Sequence, residues 1–265
     1  MKKKLLLNVP FVICLAAIIY ACAASKSHIA YHPASVQTAQ ERPQFIEQQP
    51  IKLVGIGDSL TEGVGDVTGK GYLGIIKEKL EAKYHVPVHL QNDAKKGLRS
   101  EQLLKRVKKK SMRQSIMDGD FIFISIGAND VMKIFREHFL ELHLEQFEKP
   151  RVLFGKHLEE ILKVIREANP QSPIFMIGLF NPYRTYFSEI VEINEIVQMW
   201  NNESKRVIRQ FNDIYFIDTS PIFSNEPDKL LHRDHFHPNR KGYEKIAETV
   251  LNAFDGDLLL FQALH

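Results

Sequence analysis

Cysteine is nearly missing from this 265-residue chain: Cys14 and Cys22 are its two, and both lie in an apolar N-terminal segment. Everything after Cys22 therefore lacks a disulfide, a thiolate nucleophile and a cysteine-bound zinc. Excess charge is missing too. The net charge is +3, and Lys2, Lys3 and Lys4 alone account for three positives, so no nucleic-acid partner is expected. No internal repeat is visible. A phosphate loop is also absent, although Gly63-Val-Gly-Asp-Val-Thr-Gly69-Lys70 has some of its letters. Five residues rather than four separate Gly63 from Gly69, and Gly71 stands where a magnesium-binding Ser or Thr belongs. His232, Asp234, His235 and His237 crowd together, but neighbouring positions of one loop rarely converge on one ion, and no second cluster supplies further ligands. No metal and no other cofactor is expected.

What remains is the composition of a globular protein, 44% apolar and 25% charged. The N-terminus has a basic start, an apolar stretch from Phe11 to Ala24 and small residues after it, the pattern of an export signal. That stretch is shorter than the roughly 20 residues that cross a bilayer, unless Leu5 to Leu7 are included. Residues 1–24 therefore read as a signal peptide or a membrane anchor. Ala21-Cys22-Ala23 offers an ordinary cleavage site, while Ile19-Tyr20-Ala21-Cys22 resembles a bacterial lipobox with Tyr20 out of pattern. Residues 25–50, polar and with three prolines, read as a flexible tether. A single domain over 51–265 follows, long enough for one α/β core. The expected setting is extracytoplasmic, secreted or held to the outer face of the cell membrane.

Within the domain, apolar runs at 51–56, 86–90, 121–126, 174–179 and 214–217 read as strands. Helical spacing recurs at 72–84, 103–117, 157–168, 190–211 and 243–254. Strands alternating with helices imply βαβ units and a parallel sheet. The segment 131–149, less regular and rich in Phe, Leu and His, reads either as a lid or acyl-binding wall or as a helix packed on the domain.

The chemistry is carried by a few positions. Gly57-Asp58-Ser59-Leu60 follows the first strand directly, so Ser59 falls at the carboxyl end of the sheet, where open parallel sheets bind ligands. A lone hydroxyl is a poor nucleophile and needs an imidazole to take its proton. His237 is the candidate base, and Asp234, one turn-like step earlier, can reach its far nitrogen and stabilise the imidazolium. A developing oxyanion needs fixed donors. Asn129, in Gly127-Ala128-Asn129-Asp130 after the third strand, falls on the same sheet edge. Gly97 follows the second strand, and the Ser59 N–H is a third donor.

These blocks, Gly57-Asp58-Ser59-Leu60, Gly97, Gly127-x-Asn129-Asp130 and Asp234-x-x-His237-Pro238, resemble the four blocks of the GDSL (SGNH) hydrolases in the family's order, spanning Leu53 to about Ala247. The resemblance implies Ser59 as nucleophile, His237 as base and Asp234 as its support, with Ser59, Gly97 and Asn129 as oxyanion donors. It also implies a flavodoxin-like three-layer α/β sandwich around a five-stranded parallel sheet. The run Gly57 to Gly65 with Gly71-Tyr72 resembles exported, lipoprotein-like bacterial esterases. Lys95 and Lys96 depart from the small residues common before the glycine of the second block.

The expected activity is hydrolysis of carboxylic esters through an acyl-Ser59 intermediate, on a small-molecule or lipid ester. Two other readings stay open. An O-acetylesterase would act on a cell-wall polysaccharide. A non-catalytic tethered module would instead bind the envelope through the basic stretch 95–113, where Lys95, Lys96, Arg99, Lys105, Arg106, Lys108, Lys109, Lys110 and Arg113 face one acid, Glu101.

Overall fold

Residues 49–138, 140–184, 189–224 and 227–253 are described by the computed structural model. The segment read as signal or anchor, Cys22 within it, nearly all of the tether and Phe254 lie outside the described residues. No helix among the described residues is long and apolar enough to cross a membrane.

Five strands form one sheet: β1 (Ile51–Gly57), β2 (Val88–Asn92), β3 (Phe121–Ser125), β4 (Ile174–Ile177) and β5 (Ile214–Ile217). All neighbours are parallel, in the order β2-β1-β3-β4-β5. This is the flavodoxin-like order, with its topological switch between β1 and β3. The sequence-based fold class is thus borne out.

Because successive strand residues face opposite ways, the Phe-Ile-Phe-Ile of β3 feeds two cores. Phe121 and Phe123 join Leu53 and Phe175 beneath α2 (Gly71–Tyr84) and α9 (Arg240–Ala253). Ile122 and Ile124 join Val54 and Met176 on the other face. That face is covered by α3 (Ser100–Val107), α4 (Lys110–Asp118), α6 (Glu145–Ala168) and α7 (Val191–Ile208). Three short helices, α1 (Ser59–Glu62), α5 (Ala128–Glu137) and α8 (Pro227–Leu230), lie within loops at the carboxyl edge. On the α2/α9 face the rings of Tyr72, Phe123, Phe175 and Tyr215 run side by side, with centroids 6.2, 5.2 and 5.4 Å apart.

Some elements differ from their sequence-based bounds, each for a local reason. Val86 packs into the core but precedes Pro87, which has no N–H for a ladder, so β2 starts at Val88. The helix expected over 103–117 is two. Leu103 and Val107 are four apart, as are Met112 and Ile116, but the five-residue step between the pairs leaves the helical phase. The chain breaks at Lys109, which is extended, and all four side chains stay buried. α6 begins well before His157 and carries Pro150 inside it. It is tied to α7 by buried Glu203, which accepts from Arg151 and Arg206, each at 2.7 Å. A Cβ on Gly155 would stand 2.0 Å from that carboxylate.

Phe123 is fully buried between Phe175 and Tyr72. Phe123→Ala is expected to destabilise the domain by about 3–5 kcal/mol. Urea unfolding checks this, and a loss under about 1 kcal/mol would mean that the aromatic row is not a packed core.

Candidate active site

The carboxyl end of β1 cannot bear a side chain. Gly57 has φ +126°, and a Cβ there would stand 2.0 Å from the Ser125 carbonyl oxygen. The Asp58 N–H donates to that same carbonyl at 3.0 Å, so the chain leaves β1 pressed against the last residue of β3. Asp58 then acts as the N-cap of α1, and Ser59 is the first helical residue.

The first N–H groups of such a turn have no intrahelical partner, and their destinations here are unequal. Leu60 N–H goes to Asp58 Oδ1 at 3.1 Å, Thr61 N–H to Ser125 Oγ at 3.1 Å, and Glu62 N–H to the Asp58 carbonyl at 3.1 Å. The Ser59 N–H has no such acceptor among the described residues. Below the turn runs a buried chain of hydroxyls. Ser125 Oγ donates to Asp58 Oδ1 at 2.6 Å and meets Thr61 Oγ1 at 2.7 Å, which in turn meets the Tyr72 hydroxyl at 2.8 Å. Burial pushes the Asp58 carboxyl up to about 6, against the lowering effect of the hydrogen bonds from Ser125 and Leu60.

The partner loop comes from the far end of the chain. Leu231 and Pro238 form an antiparallel bridge, His232 N–H donates to the His237 carbonyl at 2.7 Å, and Asn239 Oδ1 accepts from Gly242 N–H at the start of α9. Asn239 Nδ2 closes the loop onto the carbonyls of Lys229 and Leu231, both at 2.9 Å. Two contacts seat this loop beside α1. Tyr243 donates to the Val64 carbonyl at 2.7 Å, and a Cβ on Gly65 would stand 2.5 Å from the Pro238 oxygen.

Within the loop, Asp234 Oδ1 accepts from the N–H groups of Phe236 and His237, both at 3.0 Å, and Oδ2 lies 2.7 Å from His237 Nδ1. Burial would raise this carboxyl, but the His237 ring and the two backbone donors outweigh it and bring Asp234 down to about 2. Ionised at neutral pH, it can only accept, so His237 Nδ1 carries a proton. In the neutral ring, Nε2 is then the acceptor, and it stands 2.9 Å from Ser59 Oγ. Ser59, His237 and Asp234 thus meet in one hydrogen-bonded line. His232 flanks it, with Nδ1 at 3.6 Å from Asp234 Oδ2.

Gly97 and Asn129 are joined to each other's surroundings. The loop after β2 hangs on β1 through Asp93 N–H to the Gly55 carbonyl (2.7 Å) and Lys95 N–H to the Gly57 carbonyl (2.9 Å). Gly97 has φ +79°, is exposed, and donates its N–H to no acceptor among the described residues. Asn129, in the first turn of α5, gives one Nδ2 hydrogen to the Leu98 carbonyl at 3.0 Å and keeps the other.

Beside Ser59 and His237 opens a pocket with about 790 Å³ of open space, mouth included. Its walls are apolar: Val131, Met132 and Phe135 from α5, Ile193, Ile196 and Val197 from α7, with Phe180, Tyr183 and Phe236 from loops. Segment 131–149 packs on the domain through Ile134 of α5 and Phe147 of α6, and α5 also lines the pocket. The contributions of α7, Phe236 and Ser125 were not read from sequence. A serine closing the apolar strand Phe-Ile-Phe-Ile-Ser was the available signal for the last.

The basic stretch 95–113 divides. Arg99 pairs with Glu101, Arg113 with Glu167, and Arg106 reaches the Asp93 carbonyl, while Lys95, Lys96, Lys105, Lys108, Lys109 and Lys110 are exposed.

Comparison with known proteins shows what the chain as a whole resembles. A model of the GDSL-like lipase/acylhydrolase family matches residues 56–245. An uncharacterized protein of Bacillus subtilis (strain 168), YpmR, is 35% identical over 226 residues, covering 83% of this chain and 89% of YpmR. The spore germination lipase LipC of Bacillus licheniformis is 25% identical over 216 residues, covering 78% and 98%. Among solved structures, the lipase Lip_vut3 from a goat rumen metagenome superposes with a TM-score of 0.70 at 24% identity, covering 77% and 97%.

Asp58 generates a test of its own. Its folded value of about 6 lies above the ordinary ~3.9 of an unfolded aspartate. Between those pH values the folded state holds a proton that the unfolded state has lost, so stability falls as pH rises through the window and stays lower above it. Asp58→Asn can still accept from Leu60 and Ser125, yet does not titrate. Measured by urea unfolding, the variant should gain about 2–3 kcal/mol on wild type between about pH 4 and pH 7. An unchanged difference would mean that this carboxyl is not desolvated.

Proposed function

We propose, from the premise that this chain belongs to the GDSL-like lipase/acylhydrolase family, that it hydrolyses carboxylic esters through an acyl-Ser59 intermediate. The observation that carries this reading is the line Ser59–His237–Asp234 formed at the wall of an apolar pocket. Ser59 Oγ attacks the ester carbonyl as its proton passes to His237 Nε2. Asp234 holds the ring by Nδ1 and stabilises the imidazolium. His237 then returns the proton to the departing alcohol. In the second half, His237 Nε2 draws a proton from water as its oxygen attacks the acyl carbon, and then returns that proton to Ser59 Oγ as the acyl C–O bond breaks and the acid departs.

The charge on the attacked oxygen is taken up by the Ser59 N–H, the Gly97 N–H and the second Nδ2 hydrogen of Asn129. Their support is that each is a donor left over once the surrounding acceptors are matched. Such donors act strongly because they are already aimed before charge develops.

The pocket speaks for the acyl side. An acetyl group, as on a wall polysaccharide, has a single methyl to bury against these apolar walls. An acyl chain of several carbons buries against Met132, Phe135, Ile193 and Ile196. We therefore favour a lipid-like or medium-chain ester over the O-acetyl reading. Export, with residues 1–24 as signal or anchor and 25–50 as tether, remains part of this proposal.

Two measurements test it. Ser59→Ala should abolish ester turnover by purified protein, and retention of most activity would refute acyl transfer at this serine. With p-nitrophenyl esters of increasing length, kcat/KM should rise roughly fourfold per methylene, since each buried CH2 contributes roughly 0.8 kcal/mol. A maximum at acetate, together with acetate release from wall polymer, would favour the polysaccharide substrate instead.

A further inference from the structure

The geometry points to Asp130, acting with Ser100 and His157, as a positioning unit that holds Gly97 and Asn129 in register as oxyanion donors. This rests on the donor roles given above, and it concerns side chains that the proton relay does not use.

Asp130 is the next residue after Asn129, and the two grip the same short stretch. Asn129 Nδ2 donates to the Leu98 carbonyl at 3.0 Å. Two residues on, Ser100 N–H donates to Asp130 Oδ2 at 3.0 Å, and Ser100 Oγ donates to Asp130 Oδ1 at 2.5 Å. Ser100 is fully buried, and its Oγ also lies 2.9 Å from His157 Nδ1, on α6. With its own proton given to Asp130, the hydroxyl accepts from His157. Three elements are thereby pinned at one point: the start of α3, the first turn of α5 and the middle of α6.

On its other side, Gly97 follows Lys95, whose N–H is fixed to the Gly57 carbonyl at the end of β1, one residue from Asp58. Gly97 therefore sits in a span held at both ends, by β1 upstream and by Asn129 and Asp130 downstream. Its backbone is left-handed, and no atom lies within 4 Å of where a Cβ would stand, so the span has no packing of its own at this point. Its N–H is located by these anchors together with the Lys96 N–H, which donates to Glu62 Oε2 at 2.5 Å on the upstream side.

A carboxylate is an expensive choice here. Burial pushes Asp130 up from the ordinary range, its charge also disfavours ionisation of Asp58, and no Lys or Arg pairs with it among the described residues. Beside a developing oxyanion, its negative charge is repulsive. Its acceptor geometry must outweigh that: one group takes both the N–H and the O–H of Ser100, which an apolar residue cannot do. Donors to an oxyanion must stand roughly 2.7–3.1 Å from it, and a displacement of about 1 Å can cost on the order of 100-fold in rate.

The experiment compares Asp130→Ala, Asp130→Asn, Ser100→Ala and Asn129→Ala. Each is assayed for kcat and KM on one p-nitrophenyl ester and for inhibition by an alkyl boronic acid, which forms an anionic tetrahedral adduct on serine. Asp130→Ala should lower kcat about 10- to 100-fold with KM changed less than about threefold, and boronate affinity should fall in parallel. Asp130→Asn, which can still accept from Ser100 N–H while that hydroxyl turns, should recover most of the loss. Ser100→Ala should lower kcat about fivefold, and it carries the test with Asp130→Asn if Asp130→Ala does not fold. If Asn129→Ala loses kcat and boronate affinity while Asp130→Ala and Ser100→Ala match wild type, the positioning unit is refuted and the donor reading stands. If Asn129→Ala is itself unaffected, the donor reading fails. Lowered melting temperatures without loss of boronate affinity would reduce Asp130 to a stabilising role and overturn the proposal.

Discussion

The contact between the ends of β1 and β3 sets everything else. Gly57 lies so close to Ser125 that no side chain fits between them, and the Ser125 carbonyl and hydroxyl both hold the turn that follows. A parallel sheet alone would bring two strand ends to neighbouring heights. The missing Cβ and these hydrogen bonds convert that proximity into a fixed direction for Ser59. The first turn of α1 is consumed in the same fixing, which is why the Ser59 N–H is left over for another acceptor.

Two carboxylates flank Ser59, and their environments drive them apart. Asp58 is sealed among hydroxyls and apolar atoms, and burial raises it to about 6. Asp234 sits in a loop where two backbone donors and an imidazole outweigh burial and lower it to about 2. Neighbouring acids whose values are pushed apart in this way take different tasks. Asp234 stays charged at neutral pH and fixes the His237 tautomer. Asp58 is a structural acceptor that caps α1 and anchors Ser125.

Much of this could be read from the sequence because the chemistry repeats short local patterns at strand ends. Ser59, Asp234 and His237 were legible from residue type and position, and the α/β order from alternating periodicities. The parts that were not legible depend on pairs far apart along the chain. Ser125 looked like a strand terminus, and nothing local marks it as the hub beneath Ser59. Ser100 and His157 are 57 residues apart, and each alone is an ordinary helix residue. The break at Lys109 is the reverse case. The phase slip between Val107 and Met112 was present in the sequence, yet burial of all four apolar side chains had to be seen before it outweighed the helical reading.

The apolar pocket and the polar network belong to one design because they share a wall. Asp58 and Ser125 line the same space as Ile193 and Phe135. Asp58 is only 2% exposed, so its carboxyl is already dry behind that wall, and burial holds it at about 6 against the hydrogen bonds from Ser125 and Leu60. Asp234 stands outside the wall, where two backbone donors and the imidazole hold it down at about 2. The same packing that makes the pocket apolar therefore makes the acid beneath Ser59 weak, and the exposed loop keeps the acid behind His237 strong.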